Sequence, residues 1–537
     1  MKRDSLTGSR SLSGLAAFIA ALSLSPFSAA LAQDAPQRGG TVIMVLGADP
    51  PTLNPVVSTG IPDGSIGCMV YQGLTRVDGK REVAPQLAKS WTVSPDGKSY
   101  TFNLVTANWN DGKPFTSADV KYSLLEANAK ISPPFAAAGK MIDSIDTPSP
   151  DKAVVNLKQP FGPLLISLAC GWGGAILPKH VFEGSNIPQN PASTTNPVGT
   201  GGFTLKEWKR GDNIRMVRNP NYWEPGKPYL DEVVARIIPQ PAARTQALQA
   251  GEVDFLFYYY LPNSDHPAIE ANQKLKLEQT SMPPSLDYMA FNVKRKPLDD
   301  KKVRQALFVA TDREYLIKNG WLGKGKAGSM PLSSEIKWAA ASPEIDFNKI
   351  YAFDPARANT KLDEAGLKRG SDGTRFKAKL VYATDESDNQ LVSAALKSMW
   401  RNVGVDLEIE ANDRTTHMKR VFQDHDFDVT INGYGTFNEP AVGLARIFIS
   451  SAIGSLYANS SNYSNPEVDD LFTRAAGALT QADRGALYRQ VQAILAVDMP
   501  TVPLREKALF NASTKKLNGF AADTDQYRNW TDAWLSK

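Results

Sequence analysis

The stretch that decides the fold is residues 87–127, LAKSWTVSPDGKSYTFNLVTANWNDGKPFTSADVKYSLLEA. Residues 99–105 alternate between apolar and polar side chains, which is typical of a strand with one buried face. The sequence Pro-Asp-Gly at residues 95–97 reverses the chain, because proline presets φ and glycine tolerates a positive φ. The pattern therefore predicts a hairpin that places residues 91–93 beside the strand.

The second half of this stretch predicts a helix. The motif T-S-A-D at residues 116–119 follows an Asn-Asp-Gly turn and is a capping box, in which the threonine hydroxyl and the aspartate carboxylate satisfy free N–H groups. Val120 and Leu124 continue at helical spacing. None of these residues is catalytic by its own chemistry, so the stretch is a structural scaffold.

The same residues carry a resemblance to a known family. The runs A-K-S-W-x-x-S-x-D-G, Y-T-F-x-L and W-N-D-G-K-P-F-T-S-A-D-V-K-Y-S-L closely resemble the signature of the peptide/opine/nickel family of solute-binding proteins, which serve ABC importers. The similarity continues at residues 197–203, 247–254, 291–293 and 303–306, and so spans the mature chain.

The resemblance implies an α/β fold of two lobes joined by a hinge, that of a type II periplasmic binding protein with an extra subdomain. We expect lobe I at residues 33–283, with the subdomain inserted at about 61–196, and lobe II at 284–504. Residues 505–537 then return to lobe I. The two crossings are expected near residues 281–286 and 503–507.

The first residues have the pattern of a secretory signal peptide. Lys2, Arg3 and Arg10 precede an apolar run, residues 12–24, and the small residues Ala30-Leu31-Ala32 follow. The run is short for a membrane anchor and is interrupted by serine and proline. We expect cleavage near Ala32, no lipid anchor and a free periplasmic protein.

Charge and cysteine content set further limits. Removal of residues 1–32 lowers the formal net charge from +4 to +2, which gives no argument for nucleic acid or an anionic membrane as partner. The two cysteines, Cys68 and Cys170, can form one disulfide in an oxidising compartment, worth roughly 4–5 kcal/mol in the chain-entropy model. Two buried free thiols are the alternative.

Two segments read as β-α-β units, which implies two separate sheets with parallel strands. The first has strands at 234–238 and 253–259 around a helix that Gly251 ends. The second has strands at 379–382 and 405–409 around a helix that Gly404 ends. Further helices are predicted from Asp299, from Asp354 to Ala365, and from a Thr480–Asp483 capping box to Val497.

The motifs of common enzyme classes are missing from the sequence. It has no H-E-x-x-H, C-x-x-C or G-x-S-x-G, and its four histidines are dispersed, so we expect no catalytic residues, no metal and no cofactor. A metal site at His417 and His425 is the weaker alternative to solvated polar residues. Residues 320–327, GWLGKGKA, match a phosphate-binding loop except at Ala327, and we interpret them as a surface loop.

We therefore expect a monomeric binding protein that traps a peptide-like, opine-like or oligosaccharide solute between its lobes and presents it to the permease subunits. Aromatic side chains and fixed polar groups would supply the binding energy. A periplasmic hydrolase of peptides or glycans is the alternative, and turnover of the solute would distinguish it.

Candidate ligand-binding residues follow from the rule that ligands lie beyond the carboxyl ends of strands. The resemblance places Ser58 and Thr59 at the cleft, and it matches the segment after residues 428–431 to the family's W-x-x-D-Y-x-D-P ligand loop. Trp172 is a further candidate, with core packing as its alternative. The full set of candidates is Ser58, Thr59, Trp172, Asp385, Asp388, Tyr434, Thr436, Phe437, Asn438 and Glu439.

Departures from the peptide-binding members suggest an unusual solute. The loop lacks the aspartate that binds the peptide ammonium in those proteins, and Glu439 is the nearest carboxylate. Asp385, Glu386 and Asp388 lie where dipeptide-binding members have an arginine for the ligand carboxylate. The resemblance thus favours a polyhydroxylated solute or a sugar–amino-acid conjugate over a simple zwitterionic dipeptide. A cationic solute paired with Asp385 or Asp388, or Glu439 as ammonium partner, are the alternatives.

Overall fold

The computed structural model describes residues 35–58, 60–280, 285–384, 388–520 and 530–537. The predicted signal peptide, Thr59, Asp385 and Glu386 lie outside this set. No helix in the described part of the chain is both long and apolar enough to span a bilayer.

The described chain builds several sheets and many helices. In chain order the strands are β1 Thr41–Leu46, β2 Thr75–Val77, β3 Val83–Pro85, β4 Ala88–Val93, β5 Ser99–Leu104, β6 Ile142–Ser149, β7 Lys152–Leu157, β8 Phe203–Lys209, β9 Asn213–Arg218, β10 Glu232–Ile237, β11 Phe255–Leu256, β12 Leu275–Gln279, β13 Ser285–Phe291, β14 Lys326–Ala327, β15 Phe376–Ala383, β16 Val405–Asn412, β17 Val429–Gly435, β18 Thr501–Glu506, β19 Phe510–Thr514, β20 Leu517–Asn518 and β21 Trp534–Leu535.

The longer helices are Ile61–Val70, Pro241–Ala250, Lys301–Val309, Pro355–Glu364, Asp388–Asn402, Pro466–Gly477 and Gln481–Asp498. Three further helical segments each contain a π-helical part. In the first, Tyr122–Asn128 is π-helical between Ser117–Lys121 and Ala129–Ile131. In the others, Leu316–Gly320 follows Arg313–Tyr315, and Lys419–Gln423 follows Arg414–Met418. Short helices are Ala136–Met141, Leu164–Ser167, Lys179–Phe182, His266–Ala271, Phe347–Ile350, Pro440–Gly443 and Ala445–Phe448.

The largest sheet has seven strands in the order β12-β19-β11-β1-β10-β9-β8. The first predicted β-α-β unit is present, since β10 and β11 are both parallel to β1, which lies between them. β11 is shorter than expected: the Tyr258 N–H donates at 2.9 Å to the side chain of Asn511, in the neighbouring strand β19, instead of to a backbone carbonyl, and residues 258–260 form a single 3₁₀ turn.

The second large sheet has six strands in the order β14-β18-β13-β17-β15-β16. The second predicted β-α-β unit is present in this sheet. Its strands β15 and β16 pair directly in parallel, and the helix Asp388–Asn402 connects them. Gly251 and Gly404, with φ of +76° and +86°, follow the two crossover helices, as the sequence predicts. The sequence predicts a surface loop at residues 320–327, but residues 326–327 form β14 and pair with β18.

The hairpin predicted in the opening stretch is present as β4 and β5, which belong to a separate four-stranded sheet in the order β4-β5-β7-β6. Trp91 is opposite Phe102 and Val93 is opposite Tyr100 in the hairpin. The capping box at Thr116 is complete, with the Asp119 carboxylate 2.8 Å from the Thr116 backbone nitrogen.

The chain passes from the first large sheet to the second and back. The strands β13–β18 all belong to the six-stranded sheet, whereas β12 before them and β19 after them are neighbours in the seven-stranded sheet. Near the crossings the Thr280 N–H donates to the Leu509 carbonyl and the Lys507 N–H donates to the Ser285 carbonyl, each at 2.8 Å. The described ends of the first crossing, Thr280 and Ser285, therefore both lie against the second crossing.

Candidate functional site

A cavity of about 400 Å³ lies beside the crossing segments. The crossings contribute Gln279, Thr280, Ser285, Lys507, Ala508 and Leu509 to its lining. The rest of the lining comes from the six-stranded sheet and its loops, through Gly323, Gly325, Lys326, Glu335 and Glu506, and from Arg81, after β2. Residues from the seven-stranded sheet, from the six-stranded sheet and from the connection between β2 and β3 therefore line the same cavity.

Side chains of both charges surround this cavity. Lys326 forms ion pairs with Glu335 and, at 3.3 Å, with the buried Glu506. Burial by itself would lower the pKa of Lys326, but its hydrogen bond with Glu335 and the charges of both glutamates raise it overall. The Ser334 backbone N–H and hydroxyl also donate to Glu506, at 2.7 and 2.8 Å. The hydrogen bond from Lys326 lowers the pKa of Glu335, and the charge of Arg81 lowers it further.

The glycine loop at residues 320–327 forms part of the cavity wall. Gly325 has a φ of +116°, and a Cβ atom there would lie 2.5 Å from the Glu506 carbonyl. The loop therefore runs directly against β18, which brings Lys326 beside Glu506. Its likeness to a phosphate-binding loop reflects this close backbone approach, because glycine permits both the contact and the positive φ.

A second charged cluster lies at the start of β13 and the end of β18. The Asp287 carboxylate accepts from Arg505 Nε at 2.7 Å and lies 2.7 Å from Lys507 Nζ. Asp287 is fully buried, which would raise its pKa, but the charges of Arg505 and Lys507 lower it overall. Asp388 lies close enough for both cations to lower its pKa, although burial raises it overall.

The two halves of the chain, one built on the seven-stranded sheet and the other on the six-stranded sheet, contact each other at several points around this cavity. Asn263, from the segment after β11, donates to Asp388 at 3.1 Å. On the other side Asn438 Nδ2 donates to the Arg81 carbonyl at 2.8 Å, and the ring centroids of Trp172 and Phe437 are 4.3 Å apart. These contacts bring the loop after β17 against the segments after β2 and β7.

The predicted ligand loop has an unusual backbone. Phe437 and Asn438 have φ of +56° and +57°, a conformation that residues other than glycine adopt at a cost. The Thr436 hydroxyl accepts from the Asn438 N–H at 3.4 Å, and Thr436 is fully buried. Contacts with Arg81 and Trp172 therefore accompany the strained conformation, and Trp172 is both core packing and a contact with this loop.

Two of the predicted ligand residues, Tyr434 and Glu439, have buried side chains. Tyr434 belongs to β17, and its buried ring packs in the core of the six-stranded sheet with Tyr288, at a centroid distance of 5.9 Å. Glu439 is buried and accepts a hydrogen bond from the Tyr488 hydroxyl at 2.9 Å, with Arg484 Nε 3.2 Å away. Burial raises the pKa of Glu439 while the charge of Arg484 lowers it. Both side chains are therefore buried and have partners within the protein.

The remaining sequence candidates are placed as follows. The Ser58 hydroxyl donates to Asp63, in the first turn of the helix Ile61–Val70, and so belongs to a helix start. Cys68 and Cys170 form a disulfide, which joins this helix to the segment that carries Trp172. His417 is buried against Asn432, at 2.8 Å, and no cluster of three or more His, Cys, Asp or Glu that could hold a metal occurs among the described residues.

Sequence reasoning did not identify five charged residues of the cavity lining, namely Arg81, Lys326, Glu335, Glu506 and Lys507. Lys507 had a usable signal, because it follows β18 at one of the two expected crossings. Arg81, Lys326 and Glu335 come from distant parts of the chain and carry no local motif.

Comparison with known proteins gives the family. The sequence profile described as bacterial extracellular solute-binding proteins, family 5 middle, matches residues 82–455. The glutathione-binding protein GsiB of Escherichia coli strain K12 is 28% identical over 504 residues, which cover 92% of this chain and 94% of that protein. These relatives are named as binding proteins.

Solved structures agree with this assignment. The oligopeptide-binding protein AppA from Bacillus subtilis, in complex with a nonapeptide, superposes with a TM-score of 0.77 at 27% identity, covering 94% of this chain and 100% of AppA. The ABC transporter substrate-binding protein CtaP from Listeria monocytogenes has a TM-score of 0.81 at 25% identity, covering 93% and 100%. The chain therefore belongs to the bacterial extracellular solute-binding proteins of family 5 and is a two-lobed, solute-binding component of an ABC importer.

Proposed function

We propose that the mature protein captures a small amphoteric solute, peptide-like or opine-like, between its lobes in the periplasm. The closed, monomeric protein then presents this solute to the permease subunits in the inner membrane. It performs no chemistry on the solute, and the signal peptide is removed near Ala32. Lobe I comprises residues 33–283 and 505–537, lobe II comprises residues 284–504, and the inserted subdomain spans about 61–196.

One observation carries this proposal, namely the cavity beside the paired crossing segments. Its volume of about 400 Å³ is within the usual range for small-molecule sites, roughly 300–1,000 Å³. Rotation about two adjacent crossing segments is a hinge motion that opens and closes such a space. Contacts such as Asn263 with Asp388 and Trp172 with Phe437 favour the closed arrangement.

The charges around the cavity favour an amphoteric solute over an oligosaccharide. A peptide-like solute offers an ammonium group for Glu335 and Glu506 and a carboxylate for nearby cations, and charge-assisted hydrogen bonds are the stronger kind. The names of the relatives, a glutathione-binding protein and an oligopeptide-binding protein, support the same solute class.

Two measurements test the function. Mass spectrometry of solutes that co-purify with the protein from its native periplasm should identify a compound with amino and carboxylate groups. Calorimetric titration with glutathione, dipeptides, tripeptides and an opine, beside a trisaccharide, should then show micromolar or tighter binding within the amphoteric group. Binding of the trisaccharide alone would reject the proposed solute class, and release of a hydrolysed product would favour the hydrolase.

A further inference from the structure

The four-stranded sheet contacts the six-stranded half of the chain at a place outside the candidate site. The backbone N–H of Gly162, in the loop after β7, donates to the Ala476 carbonyl at 2.9 Å. Ala476 lies in the last turn of the helix Pro466–Gly477, and its side chain packs against the core of the four-stranded sheet. Buried residues of the same helix share a core with β13 and β17, so the contact joins two separate cores.

This contact gives a partner to a carbonyl group at the end of a helix. The last four carbonyl groups of an α-helix have no partner within the helix. The Gly162 N–H supplies one for Ala476 from another part of the fold. Just beyond the helix, Arg484 Nη1 donates to the carbonyls of residues 478–479, at 3.2 and 2.9 Å. The buried Arg484 therefore holds the end of the helix in the conformation that receives Gly162.

Two glycines allow the close approach. A Cβ atom at Gly162 would lie 2.6 Å from Arg484 Nη1 and closer still to the Ala478 carbonyl oxygen, and one at Gly97 would overlap the Leu479 side chain. Gly97 also needs its positive φ of +68° in the turn between β4 and β5. The φ of Gly162 lies outside the positive range, so the close approach alone requires a glycine there.

The four-stranded sheet is attached to the seven-stranded half by a covalent bond and a shared core. The disulfide of Cys170 with Cys68 joins its following segment to the helix Ile61–Val70. Leu177 and Phe182, farther along this segment, belong to the same core as residues of β1 and β10. Rotation about the crossing segments would therefore move the four-stranded sheet with the seven-stranded half and separate Gly162 from the helix end.

We propose that residues 95–97 and 160–162, on one side, and residues 476–479, on the other, form a latch that stabilises the closed arrangement without contacting the solute. None of the described residues that line the cavity belongs to the latch. The latch adds the same free energy to the closed form whichever solute is bound, so it changes the affinity for every solute by one common factor. This inference rests on the proposed closure of the lobes around a solute.

The experiment adds one methyl group to the latch. Calorimetric titrations of the full mature protein with glutathione and with trialanine compare wild type with Gly162→Ala, in which the methyl group overlaps Arg484 and the Ala478 carbonyl only when the lobes are closed. We expect both affinities to fall about 5- to 100-fold, the range for overpacking of a tight contact, and by the same factor. The melting temperature of the solute-free variant should equal that of wild type.

Two control variants test whether the effect is specific to the close approach. In Gly477→Ala the Cβ atom would lie 3.7 Å from the Pro160 carbonyl oxygen, an ordinary van der Waals distance, so both affinities should stay at the wild-type values. Leu479→Ala shortens the side chain that covers Gly97 and should weaken both affinities about 2- to 5-fold. Leu456→Ala, which shortens an exposed leucine outside the latch, should leave them unchanged.

Three results would overturn the latch while leaving the proposed function intact. They are wild-type affinities in Gly162→Ala, losses that differ more than about threefold between glutathione and trialanine, and a lower melting temperature or failed folding of the solute-free variant. The last result would show that the contact is a permanent part of the fold. Failure of the wild-type protein to bind any peptide or opine would reject the proposed function, and the inference with it.

Discussion

Trp172 and Phe437 meet edge to face with their ring centroids 4.3 Å apart. Trp172 is buried and follows Cys170, which the disulfide ties to the helix Ile61–Val70. Phe437 belongs to the loop after β17 and has a φ of +56°. A rigidly held ring in one half therefore contacts a strained loop of the other, and the contact forms only when the halves are close together.

Removal of the Phe437 ring should favour the open form. An aromatic pair contributes about 0.5–1.5 kcal/mol beyond its buried area, so Phe437→Ala should weaken solute binding about 2- to 10-fold. Calorimetry of the variant gives this ratio. Phe353→Ala, which removes an exposed ring, is the matched control and should leave affinity unchanged. Equal affinities of Phe437→Ala and wild type would contradict a role for this contact in closure.

The disulfide should be present in the native protein and should stabilise it. Cys68 and Cys170 are 102 residues apart, and in the chain-entropy model a loop of this length contributes roughly 4–5 kcal/mol to the free energy of unfolding. Thiol labelling under denaturing, non-reducing conditions should find no free thiol, and Cys68→Ala/Cys170→Ala should unfold at a lower temperature. Two labelled thiols per chain would reject the bond.

Glu439 should matter for stability and little for binding. Glu439→Gln leaves the buried Arg484 without its charged partner, and disruption of a buried ion pair costs about 3 kcal/mol. We expect a lower urea midpoint with solute affinity within about threefold of wild type once the folded fraction is taken into account. A large loss of peptide affinity at unchanged stability would contradict this and would favour the alternative from the sequence analysis, in which Glu439 binds the ammonium group of the solute.

His266 should make stability dependent on pH in the acidic range. Burial, assisted by the charge of Lys324, lowers its pKa from 6.5 to about 4. Between these values the unfolded chain binds the proton and the folded protein does not, so stability falls as pH drops below 6.5, by about 1–2 kcal/mol after solvent screening. Urea unfolding at pH 7 and pH 4.5 should show this loss reduced in His266→Gln, and the same loss in the variant would contradict it.

Local patterns predicted most of the fold because they depend on neighbours in sequence. Alternation and turn residues gave the hairpin of β4 and β5, and the capping box gave the start of the helix at Ser117. The strand expected over residues 253–259 was too long, since a side chain from the returning segment, Asn511, takes the Tyr258 N–H. That competition depends on a residue about 250 positions away.

The site was harder to predict because it depends on which face each residue occupies. β17 extends to Gly435, so alternation turns Tyr434 toward the core, and the fit to the family loop did not reveal this. Three of the residues that the resemblance proposes as ligand contacts, Phe437, Asn438 and Asp388, contact the opposite half of the chain, and their role in binding stays a prediction. The charged lining around Lys326 needed the three-dimensional arrangement, because its members come from separate loops.

Small-angle scattering of the mature protein, with and without a solute identified by calorimetry, tests the central claim that the two lobes close around a solute. At about 100 times the dissociation constant, bound solute should reduce the radius of gyration and raise the free energy of unfolding by roughly 2.7 kcal/mol, which appears as a higher melting temperature. An unchanged radius of gyration together with an unchanged melting temperature at saturation would contradict it.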